Sequence, residues 1–377
     1  MPPTAETDAN RPVATPHVLT SRAKLARFAA IGAMMLGAAV LFAYTGGWYS
    51  PHRLSPNRLM AAFDAADGKF PGFRKNHAKG VCASGRFDSN GQAVRFSRAA
   101  VFKPGSTPVI GRFSLAGGMP FQTDAPDKVR AMALRFLPPG AEEWRTGMVS
   151  IPVFPFNSVQ GFYDQLVASA PDPATGKPDP AKMKAFIEIH PEAARAFALI
   201  KSGWASNGFG DSTYNGLNAF RFTNAAGDTI AVRWSAVPVQ AAAGETAAPA
   251  STTNKDYLFD DLIAAVAAHP RQWHLVITLA QPGDPTNDAT VPWPPGRTQV
   301  DAGIITIDRI SSEALGSCTN VNFDPLVLPA GIEASDDPVL SARSAAYARS
   351  FTLRAGQAHE KQPSAITPLD VQSGGKS

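Results

Sequence analysis

Apolar and β-branched residues recur along most of the chain in runs of strand length, with turn residues between the runs. Eight such runs fall into two groups of four, which predicts an antiparallel β-barrel. The first group is Ala93–Phe102, Val109–Ala116, Val129–Leu137 and Met148–Phe154, and the second is Asn218–Asn224, Thr229–Val237, Trp273–Ala280 and Gly303–Arg309.

Segments with helical patterns lie before, between and after these strands, so the predicted fold class is α+β rather than all-β. A short amphipathic helix from Ser55 to about Ala66 precedes the strands, and a helix from about Pro338 follows them. The inserted helices are Ser158–Ala168, Pro180–Ile189, Pro191–Lys201 and Leu258–His269, and the small residues of Ala241–Ala250 predict a linker or loop.

The N-terminal region predicts one transmembrane helix. Phe28–Gly47 is an uncharged run of twenty residues, long enough to cross ~30 Å of hydrocarbon. Basic residues at Arg22, Lys24 and Arg27 precede the run and the next four residues are uncharged, which predicts a cytoplasmic N-terminus. A cleaved signal peptide is the alternative, although the run exceeds a usual signal core. Either interpretation exports the rest of the chain.

Four regions follow from this pattern. Residues 1–21, rich in Pro, Ala and Thr, are predicted to be disordered and cytoplasmic. Residues 22–48 are the anchor or signal segment, and residues 49–356 are one globular domain. The tail, residues 357–377, has no periodic apolar pattern and is predicted to be disordered. The expected location of the domain is the periplasmic side of a bacterial inner membrane.

Composition excludes several classes of protein. The 377 residues are 44% hydrophobic and 18% charged, as in a globular protein with a sizeable core. The formal charge is only +4 and the basic residues are scattered, which argues against a nucleic-acid partner. Cys82 and Cys318 lack metal-ligand spacing, which argues against a zinc or iron–sulfur site. The sequence leaves open whether they form a disulfide or remain two buried thiols.

Candidate chemistry begins with Arg343 and Tyr347, which lie four residues apart after the helix start at Asp336-Asp337-Pro338. On a helix they share one face, and a guanidinium there stabilises a phenolate. A tyrosinate is an anionic oxygen ligand for ferric iron and the axial ligand of one haem class. A surface arginine beside a half-buried tyrosine is the alternative. A second stretch, Arg74-Lys-Asn-His77-Ala-Lys79-Gly80, places a histidine among basic residues.

Several short segments occur in a collinear order that resembles the haem catalase superfamily, and in particular its short, catalase-related peroxidases. The resemblance spans roughly residues 55–356. The segments are Arg74-x-x-His77-Ala-Lys79-Gly80, Arg112-Phe-Ser114, Pro152-Val-Phe154, Asn322-Phe-Asp-Pro325, Pro329-Ala-Gly-Ile-Glu333, Arg343-x-x-x-Tyr347 and Arg354-x-Gly356.

The resemblance implies a haem b cofactor and a role for each matched residue. Tyr347 corresponds to the haem iron ligand, and Arg343 to the residue that keeps it ionised. Three arginines correspond to partners of the haem propionates, where a planar guanidinium suits a carboxylate: Arg74, Arg112 and Arg354. Phe154 and Phe162 correspond to the distal aromatic wall. His77 corresponds to the distal acid–base group, and Ser114 to the residue that orients its ring.

The implied activity is reduction of hydrogen peroxide or organic hydroperoxides by an organic electron donor, through an oxo-ferryl intermediate. Catalases carry an asparagine pair before the Pro-Val-Phe segment that helps to position hydrogen peroxide, whereas residues 147–152 contain no asparagine. This departure favours a peroxidase over an efficient catalase. The alternatives are a small catalase that dismutates hydrogen peroxide, a haem-binding or haem-sensing protein, and a lyase that rearranges hydroperoxides.

Overall fold

The computed structural model describes residues 20–45, 54–202, 208–240, 254–357 and 363–374. The chain divides into two units, residues 1–54 and 55–377. The first contains helix α1, Ser21–Thr45, whose length of 25 residues and mean hydropathy of 1.9 suffice to cross a membrane. Within the described residues it is the one helix that meets this test. The predicted linker Ala241–Ala250, and residues 1–19 of the predicted disordered segment, lie outside the described residues.

The second unit is built on a closed antiparallel barrel with eight strand positions, as the apolar runs predict. Neighbours around the ring are β1–β2–β3–β4, then β5 with β6, then β7, β8 and β9, and the β1–β9 pairing closes the ring. The strands are β1 Gly80–Ser89, β2 Gly105–Leu115, β3 Arg130–Phe136, β4 Trp144–Val149, β5 Tyr214–Asn215, β6 Phe220–Thr223, β7 Thr229–Pro238, β8 Arg271–Leu279, β9 Gln299–Ser311 and β10 Ile332–Ala334.

A break in the fifth strand position separates β5 from β6, and both pair with β7. Leu217 at this break has a φ of 61°, a left-handed conformation that costs a residue with a side chain about 1–2 kcal/mol. Asn218 N–H donates to the Gly216 carbonyl at 2.8 Å, which closes a tight turn. The turn directs Leu217 toward the cavity described below and Asn218 toward Arg343, which lines that cavity.

The first predicted strand is wrong, and the fourth, Met148–Phe154, is displaced toward the C-terminus because β4 ends at Val149. Ala93–Phe102 contains two short 3₁₀ turns, Gln92–Arg95 and Ala100–Phe102, and the first strand of the barrel is β1. Glycines lower strand propensity, so the Gly-containing β1 sequence carries a weak strand signal. Its Gly85 is nevertheless required by packing, since a Cβ there would lie 1.9 Å from the Thr306 carbonyl oxygen of β9.

Helices surround the barrel close to their predicted positions. Ser55 caps α2 by accepting from Arg58 N–H at 3.3 Å, and Ser158 caps α3 by accepting from Gly161 N–H at 3.1 Å. The helices are α2 Pro56–Asp67, α3 Val159–Ser169, α4 Pro180–Ile189, α5 Pro191–Ser202, α6 Tyr257–Ala268, α7 Pro338–Gln357 and α8 Pro368–Gln372.

The barrel interior holds the main core, where aromatic rings pack between the strands. Trp144 stacks on Phe136 with ring centroids 4.7 Å apart, and Trp234 stacks on Phe220 at 4.3 Å. Apolar burial of this kind contributes about 25 cal/mol per Å², so the barrel supplies a rigid body. The cavity lies on its outer face.

The prediction of a disordered tail is wrong for residues 363–374. Ile366 is buried in the barrel core, and its carbonyl accepts from the Ser312 hydroxyl at 2.7 Å. Thr367 and Asp370 then form a capping box for α8. The sequence contains little indication of this order, because one buried apolar residue and one helix cap produce no periodic pattern. Residues 358–362 and 375–377 lie outside the described residues.

Cys82 in β1 and Cys318, between β9 and β10, form a disulfide with Cα atoms 5.3 Å apart. The sequence had left this pairing open. Both residues are fully buried in a small cluster, outside the barrel core, that also contains Val321 and Phe323.

Candidate active site

A cavity of about 310 Å³ lies against the outer face of β2, β3 and β4. Side chains alternate between the two faces of a strand, so Phe113 and Met132 enter the barrel core while their neighbours line the cavity. Two rows of cross-strand neighbours form this wall: Ser114–Ala131–Val149 and Arg112–Ala133–Gly147. The small alanine and glycine residues leave room for a flat group to approach the sheet.

Helix α7 forms a second wall. The residues that line the cavity recur every three or four positions, as one face of an α-helix requires. From Val339 to Arg354 this stripe is about 22 Å long at the rise of an α-helix. Its members are Val339, Ala342, Arg343, Ala346, Tyr347, Ser350, Phe351 and Arg354. Arg343 and Tyr347 thus share a face, as their spacing predicts.

Tyr347 and Arg343 converge on Gly147 of β4. A Cβ at Gly147 would lie 3.6 Å from the Tyr347 hydroxyl and 3.6 Å from Arg343 Nη2. The missing side chain therefore leaves open the space beside the phenol oxygen. Within the described residues, the Tyr347 hydroxyl makes no hydrogen bond to protein, which leaves it available to an external electrophile or metal ion.

A buried chain of polar groups holds Arg343 in place. Arg343 Nη1 donates to Asn218 Oδ1, and Asn218 Nδ2 donates to Asp337 Oδ2 at 2.7 Å. Asp337 also accepts from Val339 N–H at 2.8 Å, at the start of α7. Burial raises the pKa of Asp337, and the hydrogen bond from Asn218 opposes that shift. The strained turn at Leu217 and the N-terminus of α7 therefore both position the guanidinium beside Tyr347.

Three arginines and one glutamate, here named the arginine cluster (Arg74, Arg112, Arg354 and Glu313), lie at the other end of the stripe. Arg112 donates to both carboxylate oxygens of Glu313 at 2.8 Å, and Arg74 Nε lies 3.6 Å from the same carboxylate. Three positive charges and one negative charge leave the buried arginine cluster two positive charges in excess. The buried Arg74 Nε has no hydrogen-bond partner among the described residues.

Burial and the repulsion between neighbouring arginines both lower pKa values in this cluster. Burial, followed by the charge of Arg112, lowers the pKa of Arg74 to about 9. Burial and the charge of Arg112 also lower the pKa of Arg354, while Glu313 opposes that shift. Burial alone would raise the pKa of Glu313, but the charges of Arg112, Arg74 and Arg354 and the Arg112 hydrogen bonds lower it overall. The excess positive charge of the cluster favours the binding of further anions.

His77 lines the cavity from a segment that is fixed at several backbone atoms. Its φ of 56° is a left-handed conformation, and such strain persists only where the surroundings over-determine it. Asn76 Oδ1 accepts from the backbone N–H groups of His77 and Gly117, both at 2.8 Å. Gly80 lets Arg112 approach, since a Cβ there would lie 2.5 Å from Arg112 Nη2.

The His77 imidazole is neutral at physiological pH. Burial, followed by the charges of Arg112, Arg343 and Arg74, lowers its pKa to about 3. A neutral ring can accept a proton from a bound substrate. Ser114 lines the same cavity, but in the described part of the chain no hydrogen bond joins its hydroxyl to His77, and Nδ1 of the ring is buried without a partner.

Aromatic and aliphatic side chains close the cavity where α2 and α3 meet. Phe154 and Phe162, which the sequence places on an aromatic wall, both line the cavity with ring centroids 6.1 Å apart. Phe162 also packs against Phe63 of α2 at 5.6 Å. All nine residues singled out from the sequence therefore line one cavity: Arg74, His77, Arg112, Ser114, Phe154, Phe162, Arg343, Tyr347 and Arg354.

The model of one protein family, described as Catalase, matches residues 61–374. The chain belongs to the catalase family. Two curated relatives, both described as catalase-related peroxidase, match nearly their whole length. The protein of Synechococcus elongatus is 37% identical over 328 residues, covering 87% of this chain and 96% of that protein. The protein of Mycolicibacterium paratuberculosis is 31% identical over 304 residues, covering 80% and 96%.

Solved catalase structures share the fold of this catalase-family protein. Catalase A from Saccharomyces cerevisiae aligns with a TM-score of 0.66 at 22% identity, covering 75% of this chain and 61% of that chain. A fungal catalase aligns with a TM-score of 0.67 at 20% identity, covering 82% and 64%. The chain thus spans about three-fifths of the length of these catalases.

The cavity fits haem, the cofactor on which the catalase family depends. The wall of small residues accommodates a flat ring, and Tyr347 offers a phenol oxygen without a protein partner. The arginine cluster has an excess of two positive charges, which matches the two propionates of haem. Within the described residues, no group of three His, Cys, Asp or Glu side chains forms a separate metal site.

Sequence reasoning missed three residues of this site. Glu313 binds Arg112 and Arg74, Asn218 binds Arg343, and Asn76 binds the backbone of His77. Glu313 is 201 positions from Arg112, and Asn218 is 125 from Arg343. No spacing rule links such distant positions, so only the folded chain reveals these partners. Asn76 lies inside the quoted His77 motif, and its position beside His77 was the one available signal.

Proposed function

We propose that this catalase-family protein is a haem b peroxidase that reduces hydrogen peroxide or organic hydroperoxides with an organic electron donor. One observation carries the proposal. A single cavity contains a neutral histidine, a tyrosine hydroxyl without a protein partner and a cationic cluster with two excess charges. The names of the two curated relatives support the same class of activity.

Each group of residues has its own role in the proposed reaction. Tyr347 would hold the iron, with Arg343 favouring its ionised form, and the arginine cluster would bind the propionates. Bound haem would supply the two-electron redox chemistry that peroxide reduction requires. His77 accepts the proton of the peroxide oxygen that binds, and returns it to the oxygen that leaves. The balanced reaction consumes one peroxide, two electrons and two protons, and it yields water together with water or an alcohol.

The residues before Pro152 favour the peroxidase over the catalase. Residues 147–152 contain no asparagine that could position a second hydrogen peroxide. The aromatic rings of Phe63, Phe154 and Phe162 make this part of the cavity apolar instead. We therefore expect organic donors to reduce the oxidised enzyme faster than hydrogen peroxide does.

The decisive experiment uses the full chain loaded with haemin. An absorption spectrum with tyrosinate-to-iron charge-transfer bands is the expected result. Oxygen evolution from hydrogen peroxide alone is then compared with oxidation of a phenolic donor at equal peroxide concentration. Dominant oxygen evolution would favour the small catalase. Haem binding without either reaction would favour the haem-binding or haem-sensing alternative, and absence of haem binding would contradict the proposal.

We propose further that α1 anchors the domain on the periplasmic side of a bacterial inner membrane. The charge asymmetry around Phe28–Gly47 supports this orientation, and a disulfide is typical of proteins in oxidising compartments. Protease added to intact spheroplasts should digest the domain and spare the N-terminal segment. Complete protection of the domain would show that the orientation is reversed.

A further inference from the structure

The Cys82–Cys318 disulfide lies beside the cavity wall. Residues directly opposite each other in an antiparallel pair point to the same face. Cys82 pairs with Arg112 across β1 and β2, so it extends the row Arg112–Ala133–Gly147. Both cysteines are fully buried, and 236 positions separate them in the sequence. The cross-link therefore joins the cavity wall to a distant segment of the chain.

That segment, residues 312–323 and here named the Cys318 loop, supplies the acceptors of Arg74 and the carboxylate that binds Arg112. Glu313 binds both Arg112 and Arg74. The carbonyl of Cys318 accepts from Arg74 Nη2 at 3.2 Å, and the carbonyl of Val321 accepts from Arg74 Nη1 at 3.3 Å. Every acceptor of the Arg74 guanidinium among the described residues thus comes from this loop.

The Cys318 loop has no strand or helix to hold it. In the described chain, residues 312–331 connect β9 to β10 through turns alone. A connection of this length without regular structure is uncommon in a compact domain. The loop also contacts the tyrosine, because the Tyr347 ring packs against the cluster of Cys82, Cys318, Val321 and Phe323. One covalent bond thus anchors a loop that contacts both the arginine cluster and Tyr347.

We propose that the Cys82–Cys318 disulfide is a positioning element for the cofactor, an inference that rests on the proposed haem peroxidase. The cross-link holds Glu313 between the arginines and holds the Tyr347 ring against the β1 end of the wall. Without it, Glu313 can withdraw, and the remaining three positive charges repel one another. The chain with free thiols then retains the barrel but holds haem weakly.

The effect is expected to be local, because the disulfide belongs to a cluster separate from the barrel core. The barrel has its own closed ring of strand pairings. A general loss of stability would loosen all parts of the protein together. Loss of a positioning element should instead change haem retention and the Cys318 loop, while the barrel strands remain protected.

The test compares the parent with the variant Cys82→Ala/Cys318→Ala and with Ile277→Ala, a cavity variant in β8 within the barrel core. Each protein is loaded with haemin, and transfer of haem to excess apomyoglobin is timed. We expect the cysteine variant to release haem about 10- to 100-fold faster, as when a partner that orients a ligand is lost. Single replacement of either cysteine should give the same rate, since each removes the cross-link.

A second measurement uses the haem-free proteins. Amide hydrogen exchange over residues 312–323 should accelerate in the cysteine variant and stay at the parent rate in Ile277→Ala, although both lose thermal stability. This readout tests the positioning of the loop even where the parent binds no haem. Failure of the haem peroxidase proposal is therefore distinguishable from failure of this inference.

Glu313→Gln, with the disulfide intact, covers the case in which the cysteine variant does not fold. It should release haem faster than the parent and, combined with the cysteine variant, add little further effect. The inference is overturned where haem release from the cysteine variant equals that of the parent. It is also overturned where Ile277→Ala accelerates release and loop exchange to the same degree, or where Glu313→Gln releases haem at the parent rate.

Discussion

The two ends of the cavity differ in how far the protein itself satisfies their polar groups. In the arginine cluster, Arg112 is paired bidentately with Glu313 and Arg74 donates to two carbonyls, although Arg74 Nε has no partner among the described residues. Near the chemistry, the Tyr347 hydroxyl and His77 Nδ1 have no partner among the described residues. The first end is therefore partly held by protein acceptors and keeps an excess of positive charge, whereas the second leaves a phenol oxygen and a ring nitrogen without protein partners.

We interpret this difference as a division between affinity for a ligand, at the arginine cluster, and reactivity, at Tyr347 and His77. Partners that are fixed by protein groups lose little conformational freedom when a ligand arrives, which favours affinity. Groups without protein partners keep their full capacity for a ligand or a proton, at a cost in stability of about 1–3 kcal/mol for each buried unsatisfied atom. Four predictions test this division between affinity and reactivity, beginning with the largest expected effect.

Tyr347→Phe removes only the oxygen that the protein leaves without a partner. We expect loss of haem binding, or haem without tyrosinate charge-transfer bands, because phenylalanine has no oxygen ligand for iron. Titration of the haem-free protein with haemin, followed by absorption, measures both outcomes. Tyr163→Phe, which removes a hydroxyl at α3, is the matched control and should leave the spectrum unchanged. An unaltered spectrum in Tyr347→Phe would contradict the ligand assignment.

His77→Ala should retain haem yet slow the reaction with peroxide by about 10²–10⁴, the contribution of a positioned acid–base group. His77→Gly distinguishes loss of the imidazole from the effect of backbone strain, because glycine adopts the left-handed φ without penalty. Glycine should be about 1 kcal/mol more stable than alanine at this position, with an equally slow reaction. Stopped-flow mixing with a hydroperoxide and urea unfolding measure the two effects. A parent-like rate in either variant would make His77 a structural residue.

Acid should destabilise the haem-free parent through His77. Its pKa is about 3 in the folded protein and near ~6.5 when unfolded. Below pH 6.5 the unfolded chain binds a proton that the folded protein does not, so stability falls as pH falls. The slope from pH 6.5 to 5 is at most about 1.4 kcal/mol per pH unit. His77→Gln, which does not titrate, should lack this component when urea unfolding is compared at each pH. Equal slopes of unfolding free energy against pH in the parent and in His77→Gln would show that the imidazole is exposed to water in the folded protein.

Ser114→Ala should have the smallest effect. Both Ser114 and His77 line the cavity, but no hydrogen bond joins them among the described residues. Loss of the hydroxyl should therefore cost no more than one hydrogen bond formed in the loaded enzyme, ~1 kcal/mol or roughly fivefold in rate. Stopped-flow rates under the conditions used for His77→Ala provide the measurement, with Ser350→Ala on α7 as a control. A loss as large as that of His77→Ala would assign the proton transfer to Ser114 instead.

Local signals in the sequence determined most of the elements and the candidate residues. Six of the eight predicted strands and the predicted helices lie close to their observed positions, since amphipathic periods reflect which face is buried. The predicted strand Met148–Phe154 shares only Met148 and Val149 with β4. The shared face of Arg343 and Tyr347 followed from helical spacing, because residues four apart lie on one side of a helix, and the resemblance to the catalase family assigned the pair its role. The resemblance to the catalase family added Arg74, His77, Arg112, Ser114 and Arg354.

Tertiary structure alone decided what joins these residues. Gly80–Ser89 is a strand because β2 and β9 pair with both of its edges, although its glycines weaken the local signal. Glu313 and Asn218 take part in the site because the fold brings them beside arginines more than a hundred positions away. The Cys82–Cys318 disulfide likewise forms because the fold brings together two cysteines that are 236 positions apart. Local propensity acts over a few residues, whereas charge pairing, strand pairing and cross-linking depend on distances in space that the linear order does not contain.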